Sequence, residues 1–313
     1  MKKITILLIA TLLIVANACK KEEDKITWDL NNNTLTISGS GKMPNYYYYP
    51  QGDSPAPWYE YRESIHTVVI EEGITSIGDG AFYDCQNLTL VTIPNSVTEI
   101  GEGVFSACGS LTSIDVKSEN NVFTSEGGVL FNKNKSTLIR CPQGKTDSYI
   151  IPNSVIKIGK GAFGGCLGLT SITISNNVTT IEEAAFSLCA YLSSITIPNS
   201  VKTIGKAAFS GCFRLLSIEI PSGITSIGED TFMHCESLAS VIIPSSVTSI
   251  GERAFWGCLS LTSITNLNPV PIEINSSVFG QLYQSGCMLK VPASAVSAYK
   301  NAEVWKEFDV VSI

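Results

Sequence analysis

Apolar residues recur along most of the chain in a fixed order and at a fixed spacing. One unit reads Leu192-Ser-Ser-Ile-Thr-Ile-Pro198, then Val201-Lys-Thr-Ile-Gly205, then Ala208-Phe-Ser-Gly-Cys212. The order returns every 23 residues, as two runs of cysteines show: Cys85 and Cys108, then Cys166, Cys189, Cys212, Cys235 and Cys258. A constant period of this length is the signature of a solenoid of stacked coils.

Each part of the unit predicts a local structure. Residues 195–197 alternate apolar and polar side chains, as a half-buried strand does, and Pro198 ends the strand because it lacks an N–H donor. Residues 201–204 form a second extended segment, and Gly205 follows as a permissive turn residue. In residues 208–212 the apolar positions i, i+1 and i+4 predict one turn of helix with a single inward face.

A single coil cannot bury its apolar face alone, so the coils must stack around one continuous core. The expected fold is therefore an α/β solenoid of 23-residue coils, each with a strand, an extended segment and a short helix. The consensus Leu-x-x-Ile-x-Ile-Pro-x-x-Val-x-x-Ile-Gly-x-x-Ala-Phe-x-x-Cys resembles the BspA-type leucine-rich repeat over residues 65–268. Residues 27–64 and 269–313 are similar to the terminal caps of that family. The resemblance implies a right-handed superhelix and a role in cell-surface adhesion or host-protein binding.

Two departures interrupt the period. Cys108 and Cys166 lie 58 residues apart, which is one repeat and 35 additional residues. The additional segment predicts a hairpin near residues 121–142, with residues 132–135 as its turn. Glu182 stands where other coils have the turn glycine, and we expect a local distortion without a functional role there.

The N-terminus has the pattern of an export signal. Residues 1–18 contain two lysines and an uncharged apolar run that is shorter than the roughly 20 residues of a membrane span. The following Cys19 resembles a lipobox cysteine, which implies lipid attachment, although an ordinary signal peptide is an open alternative. Residues 19–26 are then a charged tether that resembles the export tags of Bacteroides-type surface lipoproteins. That resemblance implies an outer-membrane protein on the cell surface, held to the membrane only through its lipid anchor.

Ten cysteines in an exported chain raise the question of disulfides. The seven periodic cysteines lie in the predicted helices, and packed helices are about 10 Å across. Because a disulfide requires Cα atoms within about 7 Å, we expect free, buried thiols at these positions. Cys141 and Cys287 lie outside the period, and their state is left open.

Charge and composition narrow the possible functions. Removal of residues 1–18 leaves 19 basic and 28 acidic side chains, a formal charge of −9, which argues against nucleic acid as a partner. Only two histidines are present, and neither has a Cys, Asp or Glu at metal-ligand spacing that the repeat does not explain better, so no metal site is expected. The periodic serines have no histidine within reach by the repeat pattern, and neither a catalytic site nor a cofactor is expected. One column of repeat positions is rich in charged residues and is interpreted as solvated: Asp79, Glu102, Lys160, Glu183, Lys206, Glu229 and Glu252.

Candidate binding residues lie where large side chains vary between coils. The outward strand positions carry mostly Ser and Thr, which offer few anchors for a partner. The candidates around the predicted helices are Tyr83, Tyr191, Phe213, Arg214 and Trp256, with Met233 and His234 at comparable places. A second candidate is a loop with Tyr46, Tyr47, Tyr48 and Tyr49, whose rings are suited to stacking on sugars; for the nearby Trp58 and Tyr59 we expect a capping role.

The favoured function is therefore a non-enzymatic surface adhesin or protein-binding module for an extracellular or host protein. The alternatives are a glycan-binding lipoprotein, which the tyrosine loop suggests, and a structural envelope protein. An enzyme in residues 27–64 or 269–313 is disfavoured because both segments are short.

Overall fold

The computed structural model describes residues 26–47, 54–280 and 286–313. The described chain is a β-solenoid of about ten turns, in which the coils contribute short parallel strands to two columns. Register is regular along the stack, since Ile172 pairs with Ile195 in the longer strands and Ile181 with Ile204 in the shorter ones. These residues are 23 positions apart, so the sequence period is the repeat of the stack.

The first part of the stack contains eight strands: β1 (Ile26–Asn31), β2 (Thr34–Gly39), β3 (Gly41–Lys42), β4 (Thr67–Ile70), β5 (Ile74–Ile77), β6 (Leu90–Ile93), β7 (Glu99–Ile100) and β8 (Ser113–Val116). Strand β1 pairs antiparallel with β2, and the sheet continues through β4, β6 and β8 in parallel. Strands β3, β5 and β7 form the second column. A 3₁₀ helix at Tyr59–Ser64 lies between the cap strands and the first full coil.

The 35 additional residues fold as a three-stranded antiparallel unit: β9 (Phe123–Glu126), β10 (Val129–Asn132) and β11 (Thr137–Arg140). The turn at residues 132–135 joins β10 to β11, and an additional turn at Gly127 and Gly128 joins β9 to β10. A Cβ atom on Gly128 would collide with the backbone of Ser113, so glycine permits this turn to lie against β8. Strand β11 then pairs in parallel with the shorter strands of the following coils.

The second part of the stack is the longer one, with strands β12 (Asp147–Ile150), β13 (Lys157–Ile158), β14 (Leu169–Thr173), β15 (Thr180–Ile181), β16 (Ser194–Thr196), β17 (Thr203–Ile204), β18 (Ser217–Glu219), β19 (Ser226–Ile227), β20 (Ser240–Ile243), β21 (Ser249–Ile250), β22 (Ser263–Asn266), β23 (Met288–Val291) and β24 (Asp309–Ser312). Strands β23 and β24 extend the sheet beyond the last full coil. The terminal region also contains 3₁₀ helices at Ser276–Phe279, Ala293–Ala295 and Trp305–Glu307. Its four-residue helix α1 (Val296–Tyr299) is the one α-helix in the described ranges.

The expected short helix in each coil is wrong. In residues 205–212 the N–H groups of Ala207, Phe209 and Gly211 donate to carbonyls 22 positions further along, at 2.8–2.9 Å. The N–H groups between them donate to carbonyls three residues earlier. Ala207 and Gly211 have φ values of +54° and +73°, which an α-helix does not allow. This segment is therefore a row of turns whose backbone bonds directly to the next coil, and the fold is a β-solenoid with little helix.

This geometry also changes the role of the turn glycine. Gly205 does not have a positive φ, whereas Ala207 does. A Cβ atom on Gly205 would collide with the backbone of Glu183 in the preceding coil, so glycine permits the close approach of two coils. Glu182 replaces the equivalent glycine, yet its N–H still donates to Ile158 O at 3.0 Å, so the expected distortion does not interrupt the ladder.

The core has two segments, and a stack of aromatic rings runs through each of them among mostly aliphatic side chains. Phe82 and Phe105 lie in the first core, and the second begins at Phe163 and runs through one phenylalanine per coil to Phe279. Strand β10 separates the two cores: Leu130 belongs to the first, whereas Val129 and Phe131 belong to the second. Alternating side chains of one strand thus form both sides of a wall.

Tryptophans close both ends of the ring stack. Trp58 stacks on Phe82 at 6.0 Å and donates from Nε1 to Ala81 O at 2.8 Å. Trp305 packs edge-on against Phe279 at 5.6 Å and donates to Ile272 O at 2.7 Å. Each ring covers the apolar end of a core while its one polar atom is bonded.

The cysteines form a column beside the rings, and all nine cysteines of the described residues are free and buried. Helix spacing does not keep the thiols apart, as we had expected, because the coils are directly bonded at this corner. The observed partner of the thiol is a carbonyl: Cys212 Sγ donates to Phe186 O in the preceding coil at 3.3 Å. The same contact recurs at 3.0–3.3 Å for Cys108, Cys189, Cys235 and Cys258. Cys141 joins this column, since Cys166 Sγ contacts its carbonyl, and Cys287 is buried near the C-terminus.

Candidate interaction surface

Large apolar side chains are exposed on three successive coils of the second part of the stack. They lie at or near the turn that contains the periodic cysteine, and between 37 % and 57 % of each is exposed: Leu167, Leu188, Tyr191, Phe213 and Leu216. We call this set the apolar corner. Leu259, two coils further along, is exposed as well. Clusters of exposed apolar side chains mark interaction sites more often than single ones do.

Repeat geometry brings the predicted candidates Tyr191, Phe213 and Arg214 together. Tyr191 and Arg214 occupy the same repeat position in adjacent coils, and the Arg214 guanidinium lies 4.5 Å from the centroid of the Tyr191 ring. This cation–π contact holds a positive charge beside an exposed ring. Phe213 directly precedes Arg214, so one coil supplies a second ring next to the charge.

Leu216 occupies a repeat position that carries a hydroxyl side chain in most other coils. At the equivalent position in other coils a hydroxyl donates to a carbonyl 23 residues earlier, as Thr170 Oγ1 does to Asp147 O at 2.8 Å and Ser193 Oγ to Thr170 O at 3.4 Å. A leucine cannot make this bond, and 57 % of Leu216 is exposed. Sequence reasoning missed Leu216, together with Leu167 and Leu188. The large apolar residue in a column that otherwise holds Ser, Thr and, at position 239, Ala was a signal that could have found Leu216.

Two further predicted candidates lie apart from the apolar corner. Tyr83 lies before the insert, in the first part of the stack. Trp256 is half-buried two coils after Phe213, and its ring covers Gly280, where a Cβ atom would collide with it. Trp256 therefore covers the edge of the core, and the apolar corner is formed without it.

The tyrosine loop is only partly available for binding. Tyr46 is buried and packs edge-on against Trp58 at 5.5 Å, so this ring belongs to the cap and the expectation of an exposed sugar platform is wrong for it. Tyr47 is exposed and pairs through its backbone with Ser54. Tyr48 and Tyr49 lie outside the described residues. The capping role expected for Trp58 agrees with its burial, whereas Tyr59 is half-buried under Arg62.

The charged column forms ion pairs between coils. Lys160 Nζ lies 3.1 Å from Glu102 Oε1 and 3.8 Å from Glu183 Oε1, and Lys206 Nζ lies 2.9 Å from Glu229 Oε2. The hydrogen bond to Glu102 raises the pKa of Lys160, and that to Glu229 raises the pKa of Lys206. These carboxylates pair with lysines at the surface of the stack.

Within the described ranges, His, Cys, Asp and Glu side chains form no group of three suited to a metal ion. None of the helices in those ranges has the length and apolar character to cross a bilayer. Cys19 and the predicted signal segment lie outside the described residues.

Comparison with known families agrees with the coil geometry. The family model described as BspA type leucine rich repeat region (6 copies) matches residues 57–150 and 141–262. The chain belongs to the BspA-type leucine-rich-repeat family. The matched segments overlap at residues 141–150, directly after the insert, and cover most of the array of coils in this BspA-type protein. No curated protein matches the chain significantly.

Several solved structures share the fold. The pneumococcal vaccine antigen PcpA is 19 % identical with a TM-score of 0.65, over 93 % of this chain and 98 % of that one. A leucine-rich repeat protein from Eubacterium ventriosum is 24 % identical with a TM-score of 0.51, over 93 % and 91 %. A leucine rich cell surface protein from Faecalibacterium prausnitzii is 24 % identical with a TM-score of 0.51, over 78 % and 93 %. At these identities the likeness extends to the fold.

Proposed function

We propose that this BspA-type protein is a non-enzymatic cell-surface module that binds an extracellular protein through its apolar corner. The observation that carries the proposal is the group formed by Tyr191, Phe213 and Arg214 beside exposed leucines on successive coils. Tyr, Trp and Arg supply most of the energy in protein interfaces, especially where neighbouring apolar groups exclude water. The Ser/Thr columns elsewhere bond to the stack itself and offer few such anchors.

The rigid backbone of the stack supports this use. Each turn at the corner is bonded to the next coil, so the exposed side chains are held at fixed spacing before a partner arrives. A surface that is ordered in advance loses less conformational entropy on binding. Several modest contacts on one scaffold can then add to a useful affinity.

The test is a triple variant, Tyr191→Ser, Phe213→Ser and Leu216→Thr, measured on an array of extracellular matrix proteins. Leu216→Thr restores the residue type that other coils have, so the fold should be retained. We expect at least a tenfold loss of affinity, about 1.4 kcal/mol, for the matrix protein that the wild type binds. The matched control is Tyr83→Ser, which removes an exposed ring from the first part of the stack.

A second control replaces Tyr47, Tyr48 and Tyr49 with serine and leaves the buried Tyr46 in place. Unchanged binding in this variant agrees with the proposal. Loss of binding in the loop variant, with retention in the triple variant, would contradict it and favour glycan recognition by the loop.

The proposed location is the outer surface of the outer membrane, with Cys19 as the lipid-modified residue. The support comes from the short apolar segment at residues 4–16 and the charged residues 20–25. Cys19→Ala should release the protein from the membrane fraction, measured by fractionation and surface proteolysis of intact cells. Retention of the variant in the membrane would refute lipid attachment at this residue.

A further inference from the structure

Among the full coils of the described residues, the row of turns that joins adjacent coils loses all three of its bonds at one place. In most coils alternate N–H groups donate to the next coil, as Phe82 does to Val104 O at 3.0 Å and Phe163 to Ala185 O at 2.7 Å. In the coil that contains Cys108 the equivalent N–H groups are those of Gly103, Phe105 and Ala107. None of the three has an acceptor within the described residues. The insert takes the place of the next coil in the strand columns and, although Cys141 joins the cysteine column, it supplies no row of turns opposite these donors.

A cavity of about 380 Å³ lies at this gap, which is within the size range of ligand sites. It is lined on one side by residues 100–106 and on the other by the coil that begins at Gly159, with the insert between them. The apolar part of the lining comes from Ile100, Val104, Leu130 and Ile139.

Arg140 of β11 adds donors beside the row. Its Nη1 donates to Gly161 O at 2.6 Å and its Nη2 to Phe105 O at 3.3 Å, so it bridges the coils on both sides of the gap. Its Nε is buried and has no acceptor among the described atoms. Lys160 and Glu102 also span the gap, with Nζ 3.1 Å from each carboxylate oxygen.

The lining favours a particular kind of ligand. Donors at alternate residues require a partner backbone that presents alternate carbonyls, as an added strand does at a sheet edge. The charged lining residues are two cations, Arg140 and Lys160, and two carboxylates, Glu102 and Glu182, so an anion gains little net attraction. The apolar lining instead suits an uncharged side chain.

We propose that this cleft binds an extended, apolar peptide segment of a partner protein, whose carbonyls accept from Gly103 and Phe105, the two members of the row that line it. The segment takes the place of the missing coil in the backbone ladder. The site is separate from the apolar corner and does not depend on the function proposed for it.

Ser106→Trp tests the proposal by filling the cleft. Ser106 lines the cavity, and its repeat position holds Trp256 in a later coil, where the ring extends over the next coil. Ser187→Trp is the matched control, because Ser187 occupies the same position in a coil whose ladder is complete. Comparable unfolding midpoints of the two variants check that both fold.

The probe is a random short-peptide library displayed on phage and selected on the full-length wild-type protein. We expect enriched apolar peptides whose affinity falls at least tenfold in Ser106→Trp and is unchanged in Ser187→Trp and in the apolar-corner triple variant. Absence of enriched peptides, or enriched peptides that bind Ser106→Trp normally, would overturn the proposal.

Amide hydrogen exchange supplies a second measurement. The segment 101–108 should exchange faster than the equivalent segment 182–189, and a selected peptide should slow exchange in the former alone. Unaltered exchange at 101–108 with a saturating peptide would show that the peptide binds elsewhere, and would also refute the proposed cleft.

Discussion

The two parts of the stack, before and after the insert, are built from the same unit but pack differently. Before the insert, Phe82 lies 6.0 Å from both Trp58 and Phe105, with interplanar angles of 27° and 15°. After it, the phenylalanines from Phe163 to Phe279 are 5.1–5.5 Å apart at 8–15°. An uninterrupted period allows parallel rings to approach closely. In the first part, the cap on one side and the insert on the other interrupt the period, and the rings are further apart.

The two parts also differ in how their exposed apolar side chains are arranged. Exposed rings before the insert include Trp28 and Tyr61 of the cap, which contact each other at 5.9 Å. After the insert, exposed apolar groups lie on successive coils. The longer array therefore combines the more regular core with the candidate binding surface, and its stability and its binding can be tested separately.

The largest expected effect is on the ring stack. Phe209→Ala removes a fully buried ring with a neighbour on each side and should lower the free energy of unfolding by about 3–5 kcal/mol. Phe105→Ala should cost less, because Phe105 has one stacked neighbour and borders an existing cavity. Urea unfolding followed by circular dichroism measures both, and equal losses would show that the two cores are equally well packed.

An intermediate effect is expected from alkaline pH. Burial raises the pKa of the Cys258 thiol from 9.0 to about 12. Since the folded protein holds this proton more tightly than the unfolded chain does, stability is full below about pH 9 and is lost as the pH rises toward about 12. The urea midpoint should fall over this range, and less steeply in Cys258→Ala than in the wild type.

Thiol titration gives the control for that experiment. The seven periodic cysteines should react with a thiol reagent after denaturation without reductant, and slowly before it. Loss of several thiols would mean that disulfides form in the mature protein, and the pH argument would then fail. Burial also raises the pKa of Cys108 to about 12, so the first part of the stack should contribute to the same slope.

The smallest effect concerns the ion pair across the gap. Lys160→Met removes a half-exposed contact with Glu102 and should cost less than about 1 kcal/mol. Lys206→Met is the matched control within the continuous array, where Lys206 pairs with Glu229. A clearly larger decrease in the free energy of unfolding for Lys160→Met than for Lys206→Met, measured in urea, would show that the Lys160–Glu102 pair joins the two parts of the stack.

The inward face of the coil could be read from the sequence. Leu192, Ile195, Val201 and Phe209 recur with the period, and all are buried. The turn conformation could not be read, because spacing at i, i+1 and i+4 fits a helical turn and a row of turns equally well. Two residues there are left-handed, Gly211 and Ala207, and an alanine carries no sign of that conformation.

The candidate surface was predicted in part. Tyr191, Phe213 and Arg214 stood out as variable residues in a constant frame, and the structure places them together. Leu167 and Leu188 were missed because leucine in a leucine-rich repeat suggests core. The expectation of an exposed Tyr46 ring was wrong. Trp58, which buries it, lies 12 positions further along the chain, and no local sequence pattern indicates their contact.

The contacts between coils have a consequence for the length of the molecule. Backbone turns bond across 22 positions, strands pair across 23 and thiols bond across 26, so each coil presents to the next the same groups that it receives from the last. A gene duplication or deletion of one whole unit after the insert would leave these bonds intact. It would shift the C-terminal cap by about 4.8 Å, the spacing of adjacent strands. The length of the molecule can therefore change by whole coils while every contact between adjacent coils is kept.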